Sequence, residues 1–160
     1  FGSGICIPET GIHLQNRGAG FSLNPKLANV VGPKKRPFHT IIPGFLMRNG
    51  QPIMSFGVMG GPMQAQGHIQ LILRTELWGQ DPQTAIDAPR WRFDEGKQVA
   101  VESSIPTKTI STLSEMGHVI KIENYDNNFG FGGAQIIRNL GSNFFIAGSD
   151  PRKDGQAVRY

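Results

Sequence analysis

The sequence is poor in the residues that build covalent or metal-held frameworks. It has one cysteine, Cys6, in 160 residues. A disulfide within the chain and a cysteine-built zinc site are therefore both excluded. Cys6 stands between Ile5 and Ile7, which predicts a buried apolar thiol rather than a nucleophile. The four histidines, His13, His39, His68 and His118, include no pair at ligand spacing, so no metal site is read. No apolar run approaches the ~20 residues of a membrane-spanning helix. Neither a Gly-x-Ser-x-Gly elbow nor a Gly-x-x-x-x-Gly-Lys phosphate loop occurs. The formal charge is +4. Basic residues are scattered apart from Lys34-Lys35-Arg36, and no aromatic residues interleave with them. That argues against a nucleic-acid surface and reads the run as a solvated loop.

Glycine and proline are plentiful, at 21 and 11 residues, beside 38% hydrophobic and 18% charged residues. The balance describes a loop-rich globular domain long enough for one core. Residues 4–14 predict two short strands about a turn at Glu9-Thr10-Gly11. Residues 15–43 form a long loop, of the kind that is either functional or disordered. Asn49-Gly50, between two apolar runs, marks a hairpin. A helix is expected over about 63–78, with Ala65, Ile69, Ile72 and Leu77 as its buried face and Gly79 closing it. Asp81-Pro82 opens a short helix that Ala88-Pro89 ends. Short strands at 90–93 and 97–102, a helix from Pro106 to Gly117 and an alternating strand over 118–125 follow. A hairpin turning at 140–142 completes the order. The expected architecture is a single mixed sheet with helices against it.

Three places offer chemistry. Gly60-Gly61-Pro62 reads as strand, tight glycine turn and helix start. Such a turn either aims backbone N–H groups at an anion or developing oxyanion, or is shaped only by its surroundings. Arg17, after Asn16, is a solvated charge or a fork for a substrate carboxylate. His39-Thr40 is a polar loop tip or a pocket wall. No serine has a basic partner at a recognisable spacing, so the chain offers no nucleophile of its own.

Seven blocks recur in a familiar order: "FGSG" (1–4), "TGIHLQNRGAGFS" (10–22), "GPKKRPFHTIIP" (32–43), "GVMGGPMQAQ" (57–66), "AIDAPRW" (85–91), "MGHVI" (116–120) and "GSDPRKDGQAVRY" (148–160). Together they make the whole chain resemble the small subunit of the γ-glutamyltranspeptidase family. The resemblance implies an α+β fold, the αββα sandwich of N-terminal-nucleophile hydrolases, here with its first strands missing. It implies that 1–160 is one domain, the C-terminal part of the small, catalytic subunit. The nucleophile would be a threonine exposed by self-cleavage, about two dozen residues before Phe1, with its own α-amino group as base. The chain alone would then be inactive. Gly60 and Gly61 match the paired glycines whose N–H groups form the oxyanion hole.

The recognition residues depart from the glutathione-cleaving pattern. Gly20 stands where an acid pairs with the substrate α-ammonium, Arg17 where Gln or Glu is common, and His39-Thr40 where a Ser-Ser pair holds the α-carboxylate. Asn16, Arg17, Gly20, His39 and Thr40 thus form the substrate-binding set, and the pattern is like that of the branch with oxamate amidohydrolases. Cephalosporin acylases are another possible relation. The implied partners are a small amide substrate and the large subunit of the same precursor, with no cofactor, metal, nucleic acid or membrane. A γ-glutamyl transferase or glutathione hydrolase with rewired contacts, and a non-catalytic binding or structural subunit, remain the alternatives. The compartment stays open between bacterial cytoplasm and periplasm.

Overall fold

The computed structural model describes residues 2–124 and 130–158; the last residue of the strand expected over 118–125 lies outside them. The chain divides into two compact units, Phe1–Thr40 and Ile41–Tyr160. In the first unit the two expected strands are reduced to a narrow ladder. It has one antiparallel bridge, Cys6 to His13, flanked by Leu14 N–H to Ile5 O at 2.8 Å and Ile7 N–H to Ile12 O at 2.9 Å. The reversal uses Glu9 at φ 64° and Gly11 at φ 68°. Cys6 is exposed, against the sequence expectation. Its neighbours Ile5 and Ile7 are exposed too, so no apolar interior exists there to take up the thiol. A single 3-10 turn, Arg17–Gly20, and a parallel bridge between Ser22 and Val30 organise the long loop.

The second unit carries the regular structure. Strands β1 (Gly44–Arg48) and β2 (Gln51–Met59) meet at Asn49-Gly50, with φ of 50° and 76°. Both central residues have the positive φ of a type I′ hairpin turn. Helix α1 (Met63–Ile72) continues as one π-helical turn, Leu73–Leu77. Helix α2 (Pro82–Asp87) starts at Asp81, whose carboxylate accepts the N–H groups of Gln83 and Thr84 at 2.9 and 3.1 Å. Strands β3 (Trp91–Phe93) and β4 (Gln98–Glu102), helix α3 (Thr107–Glu115) and strand β5 (Val119–Glu123) follow. Strands β6 (Gly133–Gly141) and β7 (Phe144–Ser149) close the order through Ser142 and Asn143, again at positive φ.

The strands form two sheets, not the single mixed sheet expected. One is antiparallel in the order β1-β2-β6-β7; the other is β3-β4-β5, with β4 and β5 parallel. Alternation along a strand cannot say which sheet the strand joins. The core lies on one face of the four-stranded sheet. Met54, Phe56 and Val58 of β2 and Ala134 and Ile136 of β6 meet Leu71 of α1 and Ala85 and Ile86 of α2. These are the alternate positions that a half-covered sheet buries. The other face leaves Phe45, Ile137 and Phe145 exposed.

Helix α1 lies against β2 by a face the apolar pattern does not mark. Its buried residues are Met63, Gly67, Gln70 and Leu71. Ala65, Ile69 and Leu77 face outward, and only Ile72 of the expected stripe reaches the core. The reason is backbone proximity. A Cβ on Gly67 would stand 2.7 Å from Val58 Cγ1, so only glycine allows this approach. The π turn, with Trp78 N–H bonded to Leu73 O at 3.0 Å, then shifts the helical phase before Leu77. Gly67→Ala is expected to destabilise despite a helix-propensity gain of about 1 kcal/mol. Overpacking costs roughly 1–3 kcal/mol, which leaves a net loss of about 1 kcal/mol. Denaturant titration of the full-length protein checks the sign.

Candidate functional site

The strand β2 ends at Met59, and the chain must reverse into α1 within three residues. Gly60 has φ 138° and Gly61 φ 58°. The first value is open essentially to glycine alone; the second costs another residue roughly 1–2 kcal/mol. The turn's hydrogen bonds use the glycine carbonyls: Met63 N–H donates to Gly60 O at 3.2 Å and Gln64 N–H to Gly61 O at 3.1 Å. Among the described residues neither glycine N–H donates within the turn. No side chain caps α1, and its first turn holds no acid. The glycine carbonyls thus take up the first helical N–H groups, and no side-chain cap or carboxylate offsets the positive end of the helix dipole.

A third glycine supports the turn. A Cβ on Gly60 would stand 3.2 Å from Gly132 Cα, and one on Gly132 would stand 2.2 Å from Met59 O. The two backbones are in direct contact, which side chains would prevent. The run "GFGG" at 130–133 signals this in the sequence but was not assigned a role there.

Beside the turn is a cleft of about 350 Å³, lined by Gly60, Met63, Gln66, Arg92, Asp94 and Gly130 among others. Arg92 Nη1 donates to Gly130 O at 2.6 Å, Nε to Asp94 Oδ1 at 2.6 Å and Nη2 to Glu123 Oε1 at 3.3 Å. Its guanidinium also lies 5.3 Å from the centre of the Phe131 ring. The Asp94 hydrogen bond raises the Arg92 pKa, and Arg92 in turn holds Asp94 below the usual carboxylate range. Lys121, then Arg92, do the same for Glu123. The cleft wall is thus a fixed, charge-balanced set. From sequence, residues 90–93 read only as a short strand, with no role for these charges.

Arg17 and Thr40, expected to act together, do meet. The Arg17 guanidinium donates through Nη1 to Thr40 Oγ1 across 23 residues of chain. Arg17 is half-buried. No described carboxylate forms an ion pair with it. Asn16 precedes the 3-10 turn without a capping side-chain bond. Gly20 ends that turn; its carbonyl accepts from Asn29 Nδ2 at 2.7 Å, and a Cβ there would meet nothing within 4 Å. His39 is exposed.

The α+β architecture, with a helix entered through paired positive-φ glycines, has the fold of the N-terminal-nucleophile hydrolases. The γ-glutamyltranspeptidase family model matches residues 1–160, and the chain belongs to that family. A glutathione hydrolase-like YwrD proenzyme of Bacillus subtilis is 38% identical over 99% of this chain and 31% of its own length. An oxamate amidohydrolase proenzyme of Klebsiella pneumoniae is 36% identical over 100% of the chain and 31% of its own. A cephalosporin acylase from Bacillus halodurans superimposes with a TM-score of 0.92 at 48% identity, over 99% of this chain and 30% of that one. The chain spans under a third of the length of these relatives.

Proposed function

We propose that the protein carrying this chain is an amide hydrolase. Residues 1–160, with their two compact units, are the C-terminal part of its small subunit, paired with a large subunit cut from the same precursor. The acyl-enzyme forms on a threonine upstream of this chain. The N–H groups of Gly60 and Gly61 hold the oxyanion as the carbonyl carbon becomes tetrahedral. The observation that carries this reading is the Gly60-Gly61 turn, with free donors at an uncapped helix start, in a chain that the family model matches throughout. No organic cofactor or metal is needed, since the nucleophile and its base are one residue.

The acyl group is anionic. Arg17, held by Thr40 and without a described carboxylate partner, offers its remaining donors to a planar carboxylate. His39 and Asn16 complete the polar surroundings. Gly20 supplies no acid for an α-ammonium. An oxamate amidohydrolase stands among the relatives, and oxamate carries a carboxylate beside its amide. A γ-glutamyl group also carries a carboxylate, so it is the lack of an acid at Gly20 that favours this reading over a γ-glutamyl transferase.

A kinetic panel of acidic, neutral and γ-glutamyl amides on the full-length autoprocessed protein tests it. Arg17→Ala is expected to lower kcat/KM about thirtyfold for the acidic acyl substrate, the equivalent of a charge-assisted bond of about 2 kcal/mol, and little for the neutral one. Gly20→Asp, for which space exists, is expected to improve use of γ-glutamyl amides. If γ-glutamyl amides rank first and Arg17→Ala leaves the order unchanged, Arg17 is a surface charge.

A further inference from the structure

Strand β3 is an edge strand of its sheet: among the described residues only β4 pairs with it. Its β4 side is bonded through Glu102 N–H to Arg90 O and Asp94 N–H to Gln98 O, both at 3.1 Å. The alternate residues Trp91 and Phe93 therefore turn their peptide groups away from β4. Such groups need partners when water is excluded.

Helix α1 supplies them. Phe93 N–H donates to Gln66 Oε1 at 2.7 Å, and Gln66 Nε2 donates to Phe93 O at 3.2 Å. Trp91 N–H donates to Gln70 Oε1 at 3.1 Å, and Gln70 Nε2 donates to Trp91 O at 2.8 Å. Each carboxamide offers the donor and acceptor that a peptide of a neighbouring strand would offer. The periods match: four helical residues rise about 6 Å, and two strand residues advance about 6.7 Å. The helix stands in for a missing strand. Between the two glutamines, Gly67 presses α1 onto Val58 of the other sheet. The first turns of α1 are thereby fixed to both sheets, directly after Gly60 and Gly61.

We propose that Gln66 and Gln70 are positioning residues, which set the aim of the Gly60 and Gly61 N–H groups by tying α1 to the edge of β3. The proposal rests on the oxyanion reading above. A displaced catalytic donor costs rate in the transition state while ground-state binding is retained.

The test uses the full-length autoprocessed protein. Gln66→Leu removes both bonds to Phe93. Gln66→Glu keeps the shape and an acceptor for Phe93 N–H, but loses the donor to Phe93 O. Gln70→Leu removes both bonds to Trp91 from a buried side chain; where that variant does not fold, Gln66→Leu carries the test, because solvent reaches residue 66. Gln66→Leu is expected to lower kcat about ten- to a hundredfold, with KM within about twofold of wild type. Gln66→Glu is expected to recover part of kcat. Amide exchange at Phe93 is expected to quicken in step. A folded Gln66→Leu with a lowered Tm and unchanged kcat overturns the positioning role and leaves the amidase reading standing. So does a variant whose KM rises at constant kcat. A wild type that cleaves no amide overturns the amidase reading and this proposal with it.

Discussion

Gly60→Ala is expected to reduce kcat by about two to three orders of magnitude, the loss measured when one oxyanion donor is removed from an acyl-transfer enzyme. The backbone N–H is not deleted; it is turned. At φ 138° an alanine clashes with its own backbone, and its Cβ would approach Gly132 Cα at 3.2 Å. The peptide must rotate, and the N–H leaves its direction. Gly61→Ala makes an informative contrast. At φ 58° the left-handed region is available to alanine, and a Cβ there meets nothing within 4 Å. Its cost is expected to be strain of about 1–2 kcal/mol in stability, with kcat within tenfold of wild type. Steady-state kinetics and denaturant titration of the two full-length variants separate these outcomes. An unchanged kcat in Gly60→Ala removes the turn from the mechanism.

Asp150→Ala is expected to cost about 3–5 kcal/mol of stability, the usual penalty for stripping one partner from a buried ion pair. Arg90, Glu102, Asp150 and Arg152 form one buried network. Arg90 Nη2 meets Asp150 Oδ2 at 2.7 Å, and Arg152 meets Glu102 Oε1 at 2.6 Å and Asp150 Oδ1 at 3.1 Å. Arg90 N–H also donates to Glu102 Oε2 at 2.7 Å, and Ala134 N–H to Asp150 Oδ2 at 2.6 Å. All but Arg152 are at most 1% exposed, and its side chain is 5% exposed. Without Asp150, the Arg90 guanidinium is left charged inside the protein.

The same network predicts a pH response. Burial alone would raise the Asp150 pKa, but Arg90 and the N–H groups of Arg152 and Ala134 outweigh it and hold the carboxyl below its ordinary value of 3.8. A depressed carboxylate contributes stability that is complete above the unfolded-state pKa and is lost as pH falls through the folded one. The unfolding free energy of the wild type should therefore hold through neutral pH and decline once pH drops below the ordinary aspartate range. In Asp150→Ala that acid-limb component should be absent. An acid limb of equal steepness in both proteins would assign the loss to other carboxylates.

Turns and caps were legible from sequence because each is specified within a few residues. Asn49-Gly50 tolerates the two positive φ angles of its hairpin, and Asp81 holds two N–H groups next to it. The Gly60-Gly61 turn was legible for the same reason. The buried face of α1 was not. Ile69 and Leu77 are apolar yet exposed, while Gly67 and Gln70 are buried, because the approach to Val58 and the pairing with Trp91 set the face. Such preferences belong to the partner surface, not to the helix. The blocks around Arg90 and Asp150 stood out as resemblances without a role, since nothing local shows that side chains 60 residues apart form a buried ion pair.

By itself, then, the sequence determined where the chain bends and which family its motifs follow, because backbone conformation and motif order are local properties. Only the tertiary structure decided that the strands divide into two sheets and that Arg17 reaches Thr40. It alone decided that two glutamines take the place of a strand. Those are choices among partners distant along the chain, and they are made by packing and by the need to satisfy every buried peptide group.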